Sequence, residues 1–292
     1  DVTNFASLNL SPNLLKALAE MQFEKPSPIQ AQTIPILLQG SDVIAQAQTG
    51  TGKTAAFALP IIQRLNTKSS DTQALILAPT RELAIQVAGE FEKLCAFVPG
   101  VTISVLCGGQ DYRRQLKQLR EGAQIVVGTP GRILDHINRK TLILKPVKTL
   151  ILDEADEMLR MGFIDDVEAI LAMVSDDKQM ALFSATMPTR IRHIANNYLR
   201  NPVSVEIRME TATVKSIRQR FLFASQMQKP DALLRVLAVE DYQGVIVFVR
   251  TKSSTEEVAE ALQANGLRAM AIHGDISQAL RERIVSQFRQ GA

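Results

Sequence analysis

Residues 42–54 read DVIAQAQTGTGKT, and the apolar run AAFALPIIQRL follows at 55–65. The segment 42–47 predicts a buried strand, and the run at 55–65 predicts a helix. Between them, Ala47 to Thr54 match the pattern A/G-x-x-x-x-G-K-T of a phosphate-binding loop, in its required order of strand, loop and helix. The stretch therefore predicts an α/β fold with a site for the phosphates of a nucleotide.

The residue types of this loop suit phosphate binding. Glycines let consecutive backbone N–H groups curl around phosphate oxygens, and the start of the following helix adds a favourable dipole. Lys53 is expected to reach the β- and γ-phosphates, and the Thr54 hydroxyl to bind Mg²⁺. A glycine-rich turn with an incidental lysine is the alternative, and the strand–loop–helix context argues against it. The predicted nucleotide-binding residues of the loop are Gln48, Thr49, Gly50, Thr51, Gly52, Lys53 and Thr54.

Acidic residues follow another apolar segment. The run KTLIL at 148–152 predicts a strand, and Asp153 and Glu154 come directly after it. Carboxylates in that position lie at the carboxyl edge of a parallel sheet, where ligands bind in such folds. Asp153 is the candidate Mg²⁺ ligand, and Glu154 is the candidate for positioning or deprotonating the attacking water. An acidic helix start would explain these residues alone, but the phosphate loop favours catalysis by Lys53, Asp153 and Glu154.

The rest of the first two thirds of the chain repeats the same arrangement. Short runs rich in Val, Ile and Leu alternate with segments of helical periodicity, which is typical of a parallel sheet covered by helices on both faces. The predicted strands are 42–47, 74–78, 101–107, 124–128, 148–152, 179–183 and 203–207.

A polar stretch then separates a second α/β unit from the first. We predict a first domain at 1–207, a linker at 208–216 and a second domain at 217–292. The pattern of the second domain predicts strands at 217–224, 244–249 and 268–272, and helices at 228–239, 253–265 and 277–290.

Composition excludes several classes of protein. Apolar residues make up 46% and charged residues 22%, and no run approaches the 18 apolar residues of a membrane span. The N-terminal residues show no basic segment followed by an apolar run, so no secretory signal is visible. Two cysteines, Cys95 and Cys107, suffice neither for a disulfide framework nor for a zinc site. We expect a protein of the reducing cytoplasm.

The charge balance restricts how a nucleic acid could be bound. The net charge is 33 − 30 = +3, and the chain has no Trp and three Tyr. Binding through bulk positive charge or through an aromatic stacking surface is therefore not expected, and a few placed groups would have to hold the ligand.

Short motifs occur in a fixed order along almost the whole chain. They are FEKPSPIQ at 23–30, PTRELA at 79–84, GG at 108–109, TPGR at 129–132, DEAD at 153–156, SAT at 184–186, VFVRT at 247–251, HGD at 273–275 and QALR at 278–281. This set resembles the DEAD-box ATP-dependent RNA helicases, most closely their bacterial cold-shock, DeaD-type branch. The resemblance implies two RecA-like parallel-sheet domains, the second incomplete, with ATP and Mg²⁺ as cofactors, RNA as partner and no membrane.

The resemblance also assigns roles to residues that are otherwise unremarkable. Gln30 would pair with the edge of adenine, Phe23 would stack on its ring, and Lys25 would also bind the nucleotide. A surface Gln and a core aromatic are the alternatives for Gln30 and Phe23. RNA-backbone contacts are implied for Pro79, Thr80, Arg81, Gly108, Gly109, Thr129, Gly131, Arg132, Arg250, Thr251, Gln278 and Arg281. Coupling between the nucleotide and RNA sites is implied for Asp156, Ser184, Thr186, His273 and Asp275.

The sequence departs from the family pattern in two places. Gln22 stands where a glycine usually precedes the aromatic residue of FEKPSPIQ. The family also continues beyond the final FRQGA with elements that carry arginine fingers, which are worth 10³–10⁵ in rate. We therefore expect these 292 residues to bind adenine nucleotide but to hydrolyse ATP slowly and not to unwind, and residues 217–292 to be less well ordered than the first domain.

The motifs favour three functions to different degrees. An ATP-dependent RNA helicase is the leading hypothesis, and an RNA clamp that uses nucleotide as a switch without unwinding is the alternative that no residue separates from it. A P-loop transporter or kinase is disfavoured because its other motifs are absent and a second α/β unit follows.

Overall fold

The protein is described here by a computed structural model that covers residues 4–207 and 217–291. The chain divides into two units, Asp1–Met209 and Glu210–Ala292.

Seven strands form one parallel sheet in the first unit, with the order β3-β4-β2-β5-β6-β1-β7. All seven predicted strands are confirmed, each within a few residues of its predicted bounds. They are β1 Val43–Gln46, β2 Ala74–Leu77, β3 Ile103–Leu106, β4 Ile125–Gly128, β5 Thr149–Leu152, β6 Gln179–Ser184 and β7 Val203–Glu206.

Helices connect these strands and cover both faces of the sheet. They are α1 Pro12–Glu20, α2 Pro28–Leu38, α3 Lys53–Arg64, α4 Arg81–Leu94, α5 Tyr112–Glu121, α6 Pro130–Asn138, α7 Ala155–Arg160, α8 Ile164–Leu171 and α9 Thr189–Tyr198, with a short 3-10 helix at Phe5–Leu8.

The core lies on both sides of the sheet. Strand β2 shows this directly, because Ala74 and Ile76 pack into one apolar cluster while Leu75 and Leu77 pack into the other. A strand buried on both faces needs apolar residues at every position, so its sequence reads as a continuous run rather than as an alternation. On the first face, the ring of Phe57 lies 5.2 Å from that of Phe183, measured between centroids.

The second unit contains the three predicted helices, α10 Lys229–Val239, α11 Lys252–Ala264 and α12 Gln278–Arg289, after a short 3-10 helix at Gln226–Gln228. The predicted strands 217–224, 244–249 and 268–272 are wrong as paired strands, since the described residues 217–291 contain none. An apolar pattern predicts an extended segment, but a strand also requires a neighbour for its backbone groups. Phe223 and Phe248 in these segments are 96% and 91% exposed.

Across the described residues, no helix combines the length and the apolar character needed to cross a membrane.

Candidate functional site

The carboxyl edge of the sheet gathers most of the predicted site residues. In a parallel sheet the loops that follow the strands all emerge at this edge, where ligands bind. The neighbours β5, β6 and β1 lead into Asp153, the SAT motif and the phosphate loop, whereas the neighbours β3, β4 and β2 lead into the GG, TPGR and PTRELA motifs. The edge is thus divided into a β5–β6–β1 half and a β3–β4–β2 half, which meet where β2 pairs with β5.

The phosphate loop takes the backbone conformation that its glycines permit. Gly50 and Gly52 have φ of +78° and +85°, in the left-handed region that favours glycine, and Gly52 precedes the first residue of α3, Lys53. A Cβ on Gly52 would lie 2.4 Å from Nε2 of Gln30. A side chain at this position would have to displace the Gln30 amide and would be strained by the positive φ, so the glycine serves both the turn and the close approach of α2.

A buried ion pair joins the loop to the DEAD motif. Lys53 Nζ donates to Glu154 Oε1 at 2.7 Å, and both side chains are less than one tenth exposed. Glu154 itself has φ of +54°, a conformation that costs energy for a residue with a Cβ. The positive charge of Lys53 is therefore balanced by Glu154.

Asp153 provides the observation that fits a divalent cation. Its side chain is 2% exposed, and Oδ1 is buried without a hydrogen-bond partner. Burial raises the pKa of Asp153 to about 7; the charge of Glu154 acts in the same direction, and that of Lys53 opposes it. A bound cation would supply the missing partner.

The composition of the site suits Mg²⁺ held together with a nucleotide. No group of three His, Cys, Asp or Glu side chains that could hold a metal ion occurs among residues 4–207 and 217–291. Mg²⁺ is commonly bound by one or two protein ligands plus substrate phosphates, so Asp153 and Thr54 would be sufficient protein ligands. Glu90 on α4, which sequence reasoning missed, interacts with the Thr54 hydroxyl, and burial raises the pKa of Glu90.

The FEKPSPIQ motif packs against the phosphate loop. Gln30 Oε1 accepts from the Ser27 N–H at 2.9 Å, while Gln30 Nε2 donates to the Gly52 carbonyl at 3.1 Å. The Ser27 hydroxyl donates to the Thr51 carbonyl at 2.7 Å. Ser27 was not among the predicted site residues, although its position before Pro28 identifies it as a helix cap. Each end of the Gln30 amide is thus engaged once within the protein, and the second lone pair of Oε1 and the second hydrogen of Nε2 remain for the predicted contact with adenine.

The other predicted adenine contacts lie at the start of the motif. Phe23 is partly buried and stacks on Phe5, with ring centroids 6.4 Å apart and an interplanar angle of 24°. Lys25 is exposed. Their roles toward the base stay predictions.

The predicted coupling residues of the first unit are in direct contact. Asp156 Oδ2 accepts from the Thr186 N–H at 3.0 Å and from the Thr186 hydroxyl at 2.8 Å, and the Asp156 N–H donates to the Ser184 hydroxyl at 3.1 Å. Burial acts to raise the pKa of Asp156, but the hydrogen bonds from Thr186 and Ser184 outweigh it and hold the pKa below its usual value. The DEAD and SAT motifs therefore form one hydrogen-bonded unit.

In the β3–β4–β2 half, Arg81 and Gly108 lie side by side. Arg81 is the first residue of α4, and a Cβ on Gly108 would be 3.3 Å from its Nη2. The Thr80 hydroxyl accepts from the Leu83 N–H at 3.1 Å, so Thr80 caps α4. Pro79 precedes this cap, and Gly109 has φ of +77°.

The TPGR motif forms the start of α6. Arg132 is its third residue, and Nη1 donates to Gln115 Oε1 at 3.2 Å. The Thr129 N–H donates to the Leu106 carbonyl at 3.1 Å, which holds the motif beside the GG loop, and Gly131 is exposed.

Gln115 and its partner His136 were not predicted, because a helix residue and a lone histidine carry no signal of a network until the fold brings them together.

The site residues of the second unit are also brought together. Thr251 caps α11. Lys252 Nζ lies 2.5 Å from Asp275 Oδ1. Arg281 Nη2 donates to the His273 carbonyl at 3.1 Å. Two further contacts occur in this unit: His273 Nε2 lies 2.5 Å from Glu256 Oε1, and Gln278 Nε2 donates to Glu282 Oε1 at 3.0 Å. Arg250, which precedes Thr251 in the sequence, is exposed. Lys252, Glu256 and Glu282 were not predicted.

The sheet, the phosphate loop and the buried carboxylates define a P-loop nucleotide-binding protein with a RecA-like fold. The sequence model of the DEAD/DEAH box helicase family matches residues 27–194, and that of the helicase conserved C-terminal domain matches residues 228–292. The chain belongs to the DEAD/DEAH box helicase family. The predicted resemblance is confirmed.

Individual relatives agree with this assignment. The chain is 51% identical to the ATP-dependent RNA helicase DeaD of Escherichia coli over 99% of the chain and 46% of that protein. It is 50% identical to the DEAD-box ATP-dependent RNA helicase CshA of Geobacillus kaustophilus, over 100% of the chain and 62% of that protein. The chain therefore spans about half the length of these curated relatives.

Solved structures give the same result for the fold. The chain is similar to a DEAD box protein from Methanococcus jannaschii, with a TM-score of 0.69, 46% identity and coverage of 99% of this chain and 77% of that one. It is also similar to Saccharomyces cerevisiae Dbp5 bound to RNA and ADP BeF3, with a TM-score of 0.90, 33% identity and coverage of 99% and 74%.

Proposed function

We propose that this chain supplies the ATP-binding and RNA-binding parts of an ATP-dependent RNA helicase that separates short duplexes as ATP closes two domains. The observation that carries the proposal is the division of one sheet edge. The β5–β6–β1 half holds Lys53, Asp153 and Glu154, and the adjoining β3–β4–β2 half holds Arg81 and Arg132 at helix starts.

ATP and Mg²⁺ suit the first of these halves. Lys53 would leave Glu154 and bind phosphate oxygens, which frees the Glu154 carboxylate to orient the attacking water. Asp153 and Thr54 would hold Mg²⁺, which when bound neutralises phosphate charge. The backbone N–H groups of the loop would bind the remaining phosphate oxygens.

RNA suits the second half. Arg81 and Arg132 lie in the first turns of α4 and α6, where a guanidinium and helix N–H groups without intrahelical partners could bind phosphates rather than base edges. Recognition of the backbone does not need a large net charge, which agrees with the value of +3. We propose single-stranded RNA or short duplexes as the ligand.

The test is a strand-separation assay on short RNA duplexes, made with the protein that carries this sequence and with its Glu154→Gln variant. We expect ATP-dependent separation that the variant loses while it still binds nucleotide. RNA binding that responds to nucleotide, without separation, would show the clamp function instead. Failure to bind RNA with any nucleotide would overturn both.

We also propose that the protein works in the cytoplasm. The free thiols of Cys95 and Cys107 are compatible with a reducing compartment, and burial raises the pKa of Cys95 to about 12, which keeps it unreactive. Cell fractionation tests this, and recovery in a secreted fraction would contradict it.

A further inference from the structure

A buried hydrogen-bond network lies behind the β3–β4–β2 half of the edge. Gln115 on α5 is 2% exposed, and its Nε2 donates to the Cys107 carbonyl, directly before Gly108, at 2.8 Å. Its Oε1 lies 3.2 Å from Arg132 Nη1 and 3.0 Å from Nε2 of the fully buried His136. One amide thus joins the loop after β3 to two residues of α6.

The donors and acceptors of this network determine its protonation. Because Gln115 donates through Nε2 to a carbonyl, its Oε1 must accept from both other partners. His136 Nε2 therefore donates to Gln115, and its Nδ1 lies 2.8 Å from the Thr141 hydroxyl, which is also 3.0 Å from the His136 carbonyl. Burial lowers the pKa of His136, and the charge of Arg132 lowers it further, which favours the neutral ring.

An aromatic stack supports the same arginine from another side. The ring of Tyr112 lies parallel to that of His136, with centroids 4.7 Å apart and an interplanar angle of 3°. The guanidinium carbon of Arg132 is 5.2 Å from the Tyr112 centroid, and that of Arg139 is 5.3 Å from it. A guanidinium over an aromatic ring is attracted to it. Arg132 is therefore held by a hydrogen bond at its tip and by a ring along its side.

We infer that Gln115 and His136 are positioning residues of the RNA site. They hold the Arg132 side chain and the loop at Gly108 in a fixed position relative to each other. The inference rests on the proposed function, since it assigns partners to the predicted RNA site. An arginine side chain that no neighbouring residue holds loses rotamer freedom when it binds a phosphate. An arginine that is already fixed avoids that loss, so removing the network should weaken RNA binding even though neither positioning residue contacts RNA.

The test compares two variants of the same helix. Gln115→Met keeps the shape of the side chain and removes its hydrogen bonds. Gln118→Met is the matched control, because Gln118 accepts from the Ser104 hydroxyl at 3.1 Å, away from Arg132. For a single-stranded oligouridylate with AMP-PNP, we expect about tenfold weaker binding in Gln115→Met, as the loss of a charge-assisted hydrogen bond implies, with unchanged ADP affinity in both variants. An equal loss of RNA affinity in Gln115→Met and Gln118→Met would show a merely structural role and overturn the inference.

Two further measurements do not depend on that variant alone. In an Arg132→Ala background, Gln115→Met should weaken RNA binding less than it does in the wild-type chain, because the arginine is gone and only the bond of Gln115 to the loop at Gly108 remains. In the wild-type chain, the ¹⁵N chemical shifts of His136 should report a neutral ring protonated on Nε2. Additive effects of the two substitutions, or a ring protonated on Nδ1, would overturn the inference.

The result also separates this inference from the proposed function. Wild-type RNA binding that Gln115→Met leaves intact would remove the positioning role and leave the function standing. A wild-type chain that binds nucleotide but no RNA would remove both.

Discussion

Thr186 donates two hydrogen bonds to the same oxygen of Asp156, one from its N–H at 3.0 Å and one from its hydroxyl at 2.8 Å. Thr186 follows β6, and Asp156 lies in the first turn of α7, directly after the residues that are predicted to meet phosphate and water. A movement of the DEAD segment on nucleotide binding would therefore be transmitted to the segment after β6.

Thr186→Val should separate ATP turnover from strand separation. The valine keeps the shape and the backbone N–H but loses the hydroxyl, so the link is weakened by about 1 kcal/mol and the contacts predicted for nucleotide are untouched. In the longer protein that carries this sequence, we expect near-normal ADP affinity and a several-fold drop in duplexes separated per ATP hydrolysed. Thr189→Val, at the first residue of α9, is the control. An unchanged ratio in Thr186→Val would remove the residue from coupling.

Asp153 should make the stability of the first unit depend on pH. Its pKa in the folded protein, about 7, is above its ordinary value of 3.8, so between these values the folded state binds more protons than the unfolded state. Stability contributed by the neutral carboxyl is then present at low pH and lost as the pH rises toward 7. Between low pH and a pH above 7, this effect lowers the free energy of unfolding by at most roughly 4 kcal/mol.

Urea unfolding from pH 4 to pH 8 measures this effect. Asp153→Asn cannot ionise, so its free energy of unfolding should lack the decline and should exceed that of the wild type at pH 8. The same variant should lose the Mg²⁺ dependence of nucleotide binding. Parallel pH profiles for the two proteins would contradict the assignment.

Gln22→Gly should stabilise the protein. Gln22 has φ of +60°, and it follows the end of α1 in a C-terminal cap in which the Gln22 N–H donates to Ala19 and the Phe23 N–H donates to Leu18. Glycine takes this conformation without strain, so we expect a gain of about 0.5–1 kcal/mol in the free energy of unfolding. Met21→Gly is the control, because Met21 has φ of −78° and glycine there should destabilise.

Asp42→Ala should destabilise the fold without affecting the site. The buried Asp42 carboxylate accepts from the Met180 N–H at 2.9 Å through one oxygen and from the Arg200 N–H at 2.7 Å through the other. Removing it leaves these N–H groups without an acceptor, at a cost of about 2–4 kcal/mol. Thermal unfolding should show the loss, and ADP affinity measured well below the transition should be unchanged. A loss of ADP affinity there would contradict a purely structural role.

Features encoded locally could be predicted from the sequence, and features made by distant residues could not. The phosphate loop follows from contiguous residues, and the strands follow from apolar runs that a doubly covered sheet requires. The bond between Asp42 and Arg200 joins residues 158 positions apart, and the Gln115–His136 contact depends on how α5 meets α6. The Gln30 amide shows the same limit, since its type predicts a hydrogen-bonding role but not the Gly52 carbonyl as the partner.

The two units should differ in protection against hydrogen exchange. Strands β2, β4 and β5 lie inside the sheet with both neighbours paired and are almost completely buried, so their amides should exchange only on global unfolding. In residues 217–291, the buried apolar side chains are Ala259, Leu262 and Ile284, too few to give α10, α11 and α12 comparable protection. We expect the amides of these three helices to exchange at least about tenfold faster than those of the three strands, as the smaller buried core implies. Mass spectrometry of peptides from both units measures this, and equal protection would show that the second unit is stabilised by interactions other than its own core.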